Sequence, residues 1–189
     1  MTDESEASWV PDGSPDQTLA ENWLLRLKSR RFRSRRTGRT QDFYITEIAD
    51  GVHTIAVTPD DHVILVRQFR AASGRDTLET PGGLVDPGEE PGAAGARELR
   101  EETGYAGDPP VSLGVLRPNP ALLTMATTTI LIRNACRIDE PTPDENEEVE
   151  IVLVPAAEIL ELIRNGRIDH AVTVAGLLIW LNDRGRESV

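Results

Sequence analysis

The stretch from Gly82 to Tyr105, GGLVDPGEEPGAAGARELREETGY, restricts the chain most, because its residue types and spacings limit local structure and chemistry together. Glu98, Glu101 and Glu102 stand at i, i+3 and i+4, which in a helix sets three carboxylates on one face. Ala93, Ala96 and Leu99 fall on the opposite face and supply a small, apolar seam for packing. Three like charges at this spacing repel one another unless a cation sits among them. Carboxylates, water and a backbone carbonyl are hard oxygen ligands, so the ion they suit is Mg²⁺, with Mn²⁺ as the alternative.

Signals at both ends support the helix. Pro91 suits the first helical position, Glu89 and Glu90 favour the positive N-terminal end, and Gly104 suits the residue just past the C-terminus. Asp86-Pro87-Gly88 is turn chemistry, and Gly82-Gly83 lets the backbone approach a neighbour closely and turn a carbonyl towards it. A plain acidic surface helix would need none of these glycines in this register.

The chain of 189 residues is long enough for one domain with a sizeable core, built on Leu, Ile, Val and Ala because aromatics are only 4%. A net charge of −12 argues against general nucleic-acid affinity and against binding to anionic membranes. The single Cys136 can form no internal disulfide, which fits a reducing compartment and leaves no thiolate metal site. No secretory signal is expected, and the longest apolar run, Ala171 to Leu181, is too short to span a bilayer. A cytoplasmic protein is the expectation.

Residues 1–22 carry six acids and no Lys or Arg, and read as an acidic flexible tail. Composition then inverts: Arg26, Lys28, Arg30, Arg31, Arg33, Arg35, Arg36 and Arg39 are interleaved with apolar residues. Within residues 23–50 this reads as edge strands with a basic face that could steer an anionic substrate, or as a nucleic-acid or partner surface. Further strands are expected at 52–57, 62–69, 76–80, 111–117, 127–138 and 149–154. Pro155 opens a helix that Gly166 stops, and Asp169 caps a last, largely apolar helix to about Asn182, suited to the core or a subunit interface. The order predicts an α/β protein with a mixed sheet between helices, over residues 51–189.

The spacing Gly83, five residues, Glu89, seven residues, Arg97-Glu98-Leu99, one residue, Glu101-Glu102, one residue, Gly104 resembles the signature box of the Nudix hydrolase family. Seven of these positions, all but Leu99, are fixed in identity, and at roughly 6–7% usage each they would coincide in about one window in 10⁸. Tyr105 departs from the aliphatic residue usual there, a change that bears on packing and not on ligands. The resemblance implies a Nudix-type α/β/α sandwich. It also implies Glu98 and Glu102 as principal metal ligands, Glu101 as a ligand directly or through water, and the Gly82 carbonyl as another. Arg97 and Glu89 are implied to be a structural pair, with Gly83 and Gly104 as structural glycines.

Beyond the box the chain is similar to the ADP-ribose pyrophosphatase branch, in VRQFR at 66–70, LETPGGLVDPGE at 78–89, DENEEVEIVLV at 144–154 and IRNGRIDHAVTVAGLLIWL at 163–181. That likeness implies hydrolysis of the diphosphate link of ADP-ribose or another nucleoside diphosphate sugar. It implies Arg70 near the substrate phosphates, Glu79 holding substrate or structure, and Glu145 as catalytic base on an acidic loop, with Glu147 in reserve. It further implies a homodimer that exchanges N-terminal strands. The loop Pro118 to Met125 departs from the Gly-containing acidic loop of many such enzymes and is expected to shape the pocket for the non-adenylate half. Two alternatives stay open: a Nudix hydrolase of nucleoside triphosphates or capped RNA, and a non-catalytic metabolite sensor.

Overall fold

The computed structural model describes residues 7–142 and 148–187. It divides into two compact units, one built from the chain up to Ala49 together with Asn119–Met125, the other from Asp50–Pro118 and Ala126–Val189.

The first unit is a four-stranded antiparallel sheet. Its strands are β1 (Trp9–Pro11), β2 (Gln17–Glu21), β3 (Leu25–Ser34) and β4 (Thr40–Ile48), with β3 pairing all three others. Two strands therefore occupy a segment expected to be tail. The physical reason lies in the partner: the acids of this segment meet the bases of β3, where Asp16 receives a bidentate pair from Arg30 (2.7 and 2.5 Å) and Glu21 pairs with Arg26. On the other flank Glu47 takes Lys28 at 2.6 Å and Asp42 takes Arg31 at 2.7 Å. Arg26, Lys28, Arg30 and Arg31, four of the eight bases, are thus paired within the sheet, which lessens the appeal of this face to a polyanion. Asn119–Met125 joins this unit through Thr46, whose N–H donates to Leu122 O (2.7 Å) and whose carbonyl accepts from Thr124 N–H (3.0 Å).

The second unit is a seven-stranded mixed sheet. Its strands are β5 (Gly51–Val57), β6 (His62–Arg70), β7 (Arg75–Glu79), β8 (Gly82–Leu84), β10 (Val111–Leu116), β11 (Thr127–Ile132) and β13 (Val149–Pro155), with the order β10-β11-β5-β6-β13. Only β5 and β11 run parallel. A short pair, β9 (Tyr105–Ala106) with β12 (Cys136–Arg137), stands apart. The strand expected over 127–138 breaks before Cys136, where Asn134 adopts a positive φ of 52°.

Helix α1 (Pro91–Thr103) covers one face of this sheet, while α2 (Ile159–Arg164) and α3 (Ala171–Glu187) cover the other. Alternation divides the strands between them. Val52, Ala56, Ile64, Ile130 and Ile132 pack with Ala94 and Leu99 of α1, whereas Ile55, Val63, Leu65 and Leu131 pack with Ile159, Leu162, Leu177 and Trp180. Val172, Leu177 and Trp180 of α3 are buried, while Leu178 stays 43% exposed. Leu99 is fully buried, and its truncation to Ala would cost about 2–5 kcal/mol. Tyr105 packs half-buried against the α1 cluster.

The feature that positions the site is a fork. Strands β5 and β6 pair only at Ala56↔Ile64 and Val57↔Val63 and then diverge. The chain from β7 to β8 fills the gap, β7 against β6 from Val66↔Glu79 to Arg70↔Arg75, and β8 against β5 from Gly51↔Leu84 to His53↔Gly82. Glu79, Thr80 and Gly82 are thereby set in the heart of the sheet, directly before the helix that carries the three glutamates.

Candidate active site

Helix α1 starts and stops as its sequence requires. Glu90 is extended at the N-cap with Pro91 following, and Gly104 closes the helix in the left-handed region (φ 74°), its N–H donating to Arg100 O. The turn before it is tied by Glu89, whose backbone N–H donates to Asp86 O (2.9 Å) while its carboxylate accepts from Asp86 N–H (3.2 Å).

Arg97 organises the carboxylates. Its Nε and Nη2 donate to the two oxygens of Glu89 (3.1 and 3.0 Å), and its Nη1 donates to Glu98 Oε1 (2.7 Å) and Glu101 Oε2 (3.0 Å). Nη2 also reaches Leu84 O at 3.2 Å, which ties the helix to the end of β8. Hydrogen bonds from Arg97 hold the Glu89 carboxyl below the usual range, and the same bonds, that to Glu89 foremost, raise the guanidinium further. Glu102 is buried and accepts from Gly82 N–H at 3.2 Å. Gly83 lies against Glu98: a Cβ built there would stand 2.5 Å from Oε1 and 2.6 Å from Cδ. Gly83 leaves out a side chain where the carboxylate must lie.

Three carboxylates, Glu89, Glu98 and Glu101, therefore share one guanidinium, with the buried Glu102 beside them on the Gly82 amide, and the donor set suits a hard divalent cation. Among the described residues no three His, Cys, Asp or Glu groups converge on a common point. Glu98 and Glu101 are turned to Arg97 and Glu102 to the Gly82 amide. The surplus of negative charge around α1 is what a cation would relieve.

The second cluster lies in the fork. Glu79 is 2% exposed and accepts two hydrogen bonds from Arg70, Nε at 2.9 Å and Nη2 at 2.8 Å, and another from Thr77 Oγ1. Burial pushes its carboxyl up, but the bonds from Arg70 and Thr77 and the nearby His170 outweigh it and leave it below the usual range. Sequence reasoning missed three members of this cluster: Thr77, His170 and Gln68. The Nε2 of Gln68, on the same strand as Arg70, is buried and has no hydrogen-bond partner among the described residues. The signal available was its alternate position to Arg70 within VRQFR, which puts both on one side of β6.

Glu145 and Glu147 lie outside the described residues. The chain on either side is anchored at the two clusters: Thr142 N–H donates to Glu101 O (2.7 Å), and Val149 pairs with Gln68. Asn119–Met125, within the loop expected to shape the pocket, belongs to the N-terminal unit. Among the described residues no helix is long and apolar enough to cross a membrane.

The chain is 29% identical over 137 residues to the ADP-ribose pyrophosphatase of Bacillus subtilis (strain 168), covering 72% of this chain and 74% of that protein. It is 34% identical over 121 residues to the ADP-sugar pyrophosphatase of Mus musculus, covering 59% of this chain and 56% of the mouse protein. Its fold matches the crystal structure of an ADP compounds hydrolase with a TM-score of 0.81 at 24% identity, over 93% of this chain and 96% of the other. The NUDIX domain model matches residues 48–177, which take in the fork, the carboxylate helix and the first part of α3, and the chain belongs to that family.

Proposed function

We propose that this chain is a Nudix pyrophosphohydrolase that cleaves the diphosphate link of ADP-ribose or a related nucleoside diphosphate sugar, giving a nucleoside monophosphate and a sugar phosphate. The observation that carries the reading is the apposition built by the fork: an arginine on a buried glutamate, followed three residues later by the Gly82-Gly83 strand that meets Glu98 and Glu102. The names of the Bacillus and mouse relatives support this substrate class.

Glu98, Glu101 and Glu102, with the Gly82 carbonyl, would hold the cation, Mg²⁺ or Mn²⁺. Such an ion supplies charge neutralisation and Lewis acidity toward phosphoryl oxygens. Arg97 fixes Glu98 and Glu101 in register while Glu89 fixes Arg97, so this pair positions ligands without being one. Arg70, 45% exposed over the buried Glu79, presents its guanidinium to an anionic substrate. Glu145 is proposed to take the proton of the attacking water, with Glu147 in reserve; Thr142, the last described residue before them, donates its N–H to the Glu101 carbonyl. A homodimer in the cytoplasm completes the proposal. Exposed Leu19 of β2, Trp23 in the β2–β3 turn and Tyr44 of β4 support a partner surface on the N-terminal unit, and light scattering tests it.

The test is phosphatase-coupled turnover of ADP-ribose, ADP-glucose, GDP-mannose, UDP-glucose, dGTP and a dinucleoside polyphosphate, with Mg²⁺ and then Mn²⁺. Preference for ADP-ribose or one nucleotide sugar is expected. Activity on triphosphates alone would overturn the substrate class.

A further inference from the structure

Between Glu79 and Gly82 the chain leaves its ladder with β6 and joins β5. Thr80 sits at this change of partner, buried and outside both strands. A buried N–H that no ladder takes up needs an acceptor from elsewhere. Helix α3 supplies it: Thr80 N–H donates to Thr173 Oγ1 at 3.3 Å, and the two hydroxyls lie 3.2 Å apart. His170 Nδ1 stands 3.0 Å from the same Thr173 oxygen.

The second support of this corner is His53 of β5. Thr80 Oγ1 is 2.9 Å from His53 Nδ1, and His53 Nε2 is 2.7 Å from Thr129 Oγ1 of β11, all of them buried. Helix α3 is shaped to admit the ring: Gly176, on the same helix face as Thr173, lies against His53, and a Cβ there would collide with Cε1. The backbone of β5 holds the next two residues, since Thr54 N–H donates to Pro81 O at 2.7 Å and His53 pairs with Gly82. Gly82 N–H in turn donates to Glu102 Oε2 at 3.2 Å. Contacts thus run without a break from α3, through Thr80 to Gly82, to the carboxylate helix on the opposite face of the sheet. Buried polar groups are costly unless bonded, so this network holds the corner in one geometry.

We propose that Thr173 of α3, together with His53, is a positioning residue for the cation site, holding the corner from Thr80 to Gly82 so that Gly82 meets Glu102. The inference rests on the reading of Glu98, Glu101, Glu102 and the Gly82 carbonyl as cation ligands. It adds a control on their affinity from a helix that supplies none of them. Without the Thr173 hydroxyl the Thr80 amide loses its acceptor, and the corner relaxes away from the geometry in which Gly82 and Glu102 are matched. Partners that orient the ligands of a metal typically change its affinity by about 10- to 100-fold, and Thr173 acts one link further out, at the lower end of that range.

The probe is Mn²⁺ alone, titrated into the full chain with the free ion read by electron paramagnetic resonance, so that no turnover is needed. Thr173→Val keeps the shape of the side chain and deletes the hydroxyl, and its Kd should be about tenfold weaker than wild type. Thr173→Ser restores the hydroxyl and should bind within about twofold of wild type. Ile159→Val, in the core cluster that α3 shares, controls for general loss of stability: its Tm should fall while its Kd stays at the wild-type value. In the metal-free protein, the NMR signal of the Gly82 amide, which is bonded to a carboxylate, should move upfield in Thr173→Val and hold its place in Thr173→Ser. Wild-type Kd in Thr173→Val, equal weakening in Ile159→Val, or an unmoved Gly82 amide would each overturn the proposal while leaving the cation reading intact. A wild-type chain that binds no Mn²⁺ would overturn the cation reading and this proposal with it.

Discussion

Adding one methyl group at each of the two adjacent glycines should separate chemistry from stability. At Gly83 the new Cβ meets Glu98 Oε1 at 2.5 Å and Cδ at 2.6 Å, the far end of a flexible side chain. Ordinary contact begins near 3.4 Å, so the carboxylate must retreat by about 0.9 Å, which a side-chain rotation can supply at little cost in folding. A misplacement of about 1 Å in a reacting constellation costs up to about 10²-fold, so Gly83→Ala should lose between about 10-fold and 100-fold in kcat/KM. At Gly82 the Cβ meets the Val52 carbonyl oxygen and His53 Cα at 2.7 Å, which are backbone atoms of a central strand. That overlap cannot rotate away and should cost about 1–3 kcal/mol, a fall of roughly 2–12 °C in Tm for a chain of this size. Neither glycine has a positive φ, so the argument is steric alone. Scanning calorimetry and saturation kinetics on both variants decide it. Wild-type kcat/KM in Gly83→Ala, or a larger Tm loss there than in Gly82→Ala, would refute the placement of Glu98 against the strand.

Three further outcomes are expected. Glu102→Gln should remove most turnover with little change in Tm, because it deletes a charge and almost no volume; unchanged turnover would sink the ligand assignment. Glu145→Gln should lower kcat more than it raises KM, and if only Glu147→Gln does so the base moves to that residue. The third concerns pH. Burial foremost, and then His170, lowers His53 from 6.5 to about 4, so between those values the unfolded chain binds the extra proton and stability falls as pH drops through the window. The full loss is about 3 kcal/mol, and urea denaturation of His53→Gln should show a shallower pH slope over that range. An identical slope in the variant would contradict the buried, neutral imidazole.

The carboxylate helix was legible because its start, stop and face are each written locally in Pro91, Gly104 and the i, i+3, i+4 glutamates. The sheet strands likewise announced themselves by alternation, as in Val63 and Leu65 against Ile64. The N-terminal strands β1 and β2 were not legible. At β2 the acids Asp16 and Glu21 meet arginines of β3, and at β1 Trp9 packs edge-on against Phe43 of β4, pairings that no local pattern displays. The fork was hidden for a related reason, since it depends on two strands parting after a two-residue pairing. Arg70 and Glu79 could be nominated from sequence, but their mutual bidentate contact and its extension to His170 follow only from the third dimension.

The parallel pairing of β5 with β11 also bears on how the protein comes off the ribosome. Asp50 and Ala126, which are bonded at its start, are 76 residues apart, and the whole carboxylate helix lies in the stretch between. Closing so long a loop is entropically slow beside the neighbouring β5–β6 hairpin. A nascent chain halted before Thr127 therefore carries every box residue while Ala94 and Leu99 lack Ile130 and Ile132 to rest on. The flank of β5 that will receive β11 is then an open edge, and until translation covers it, another nascent chain can pair there.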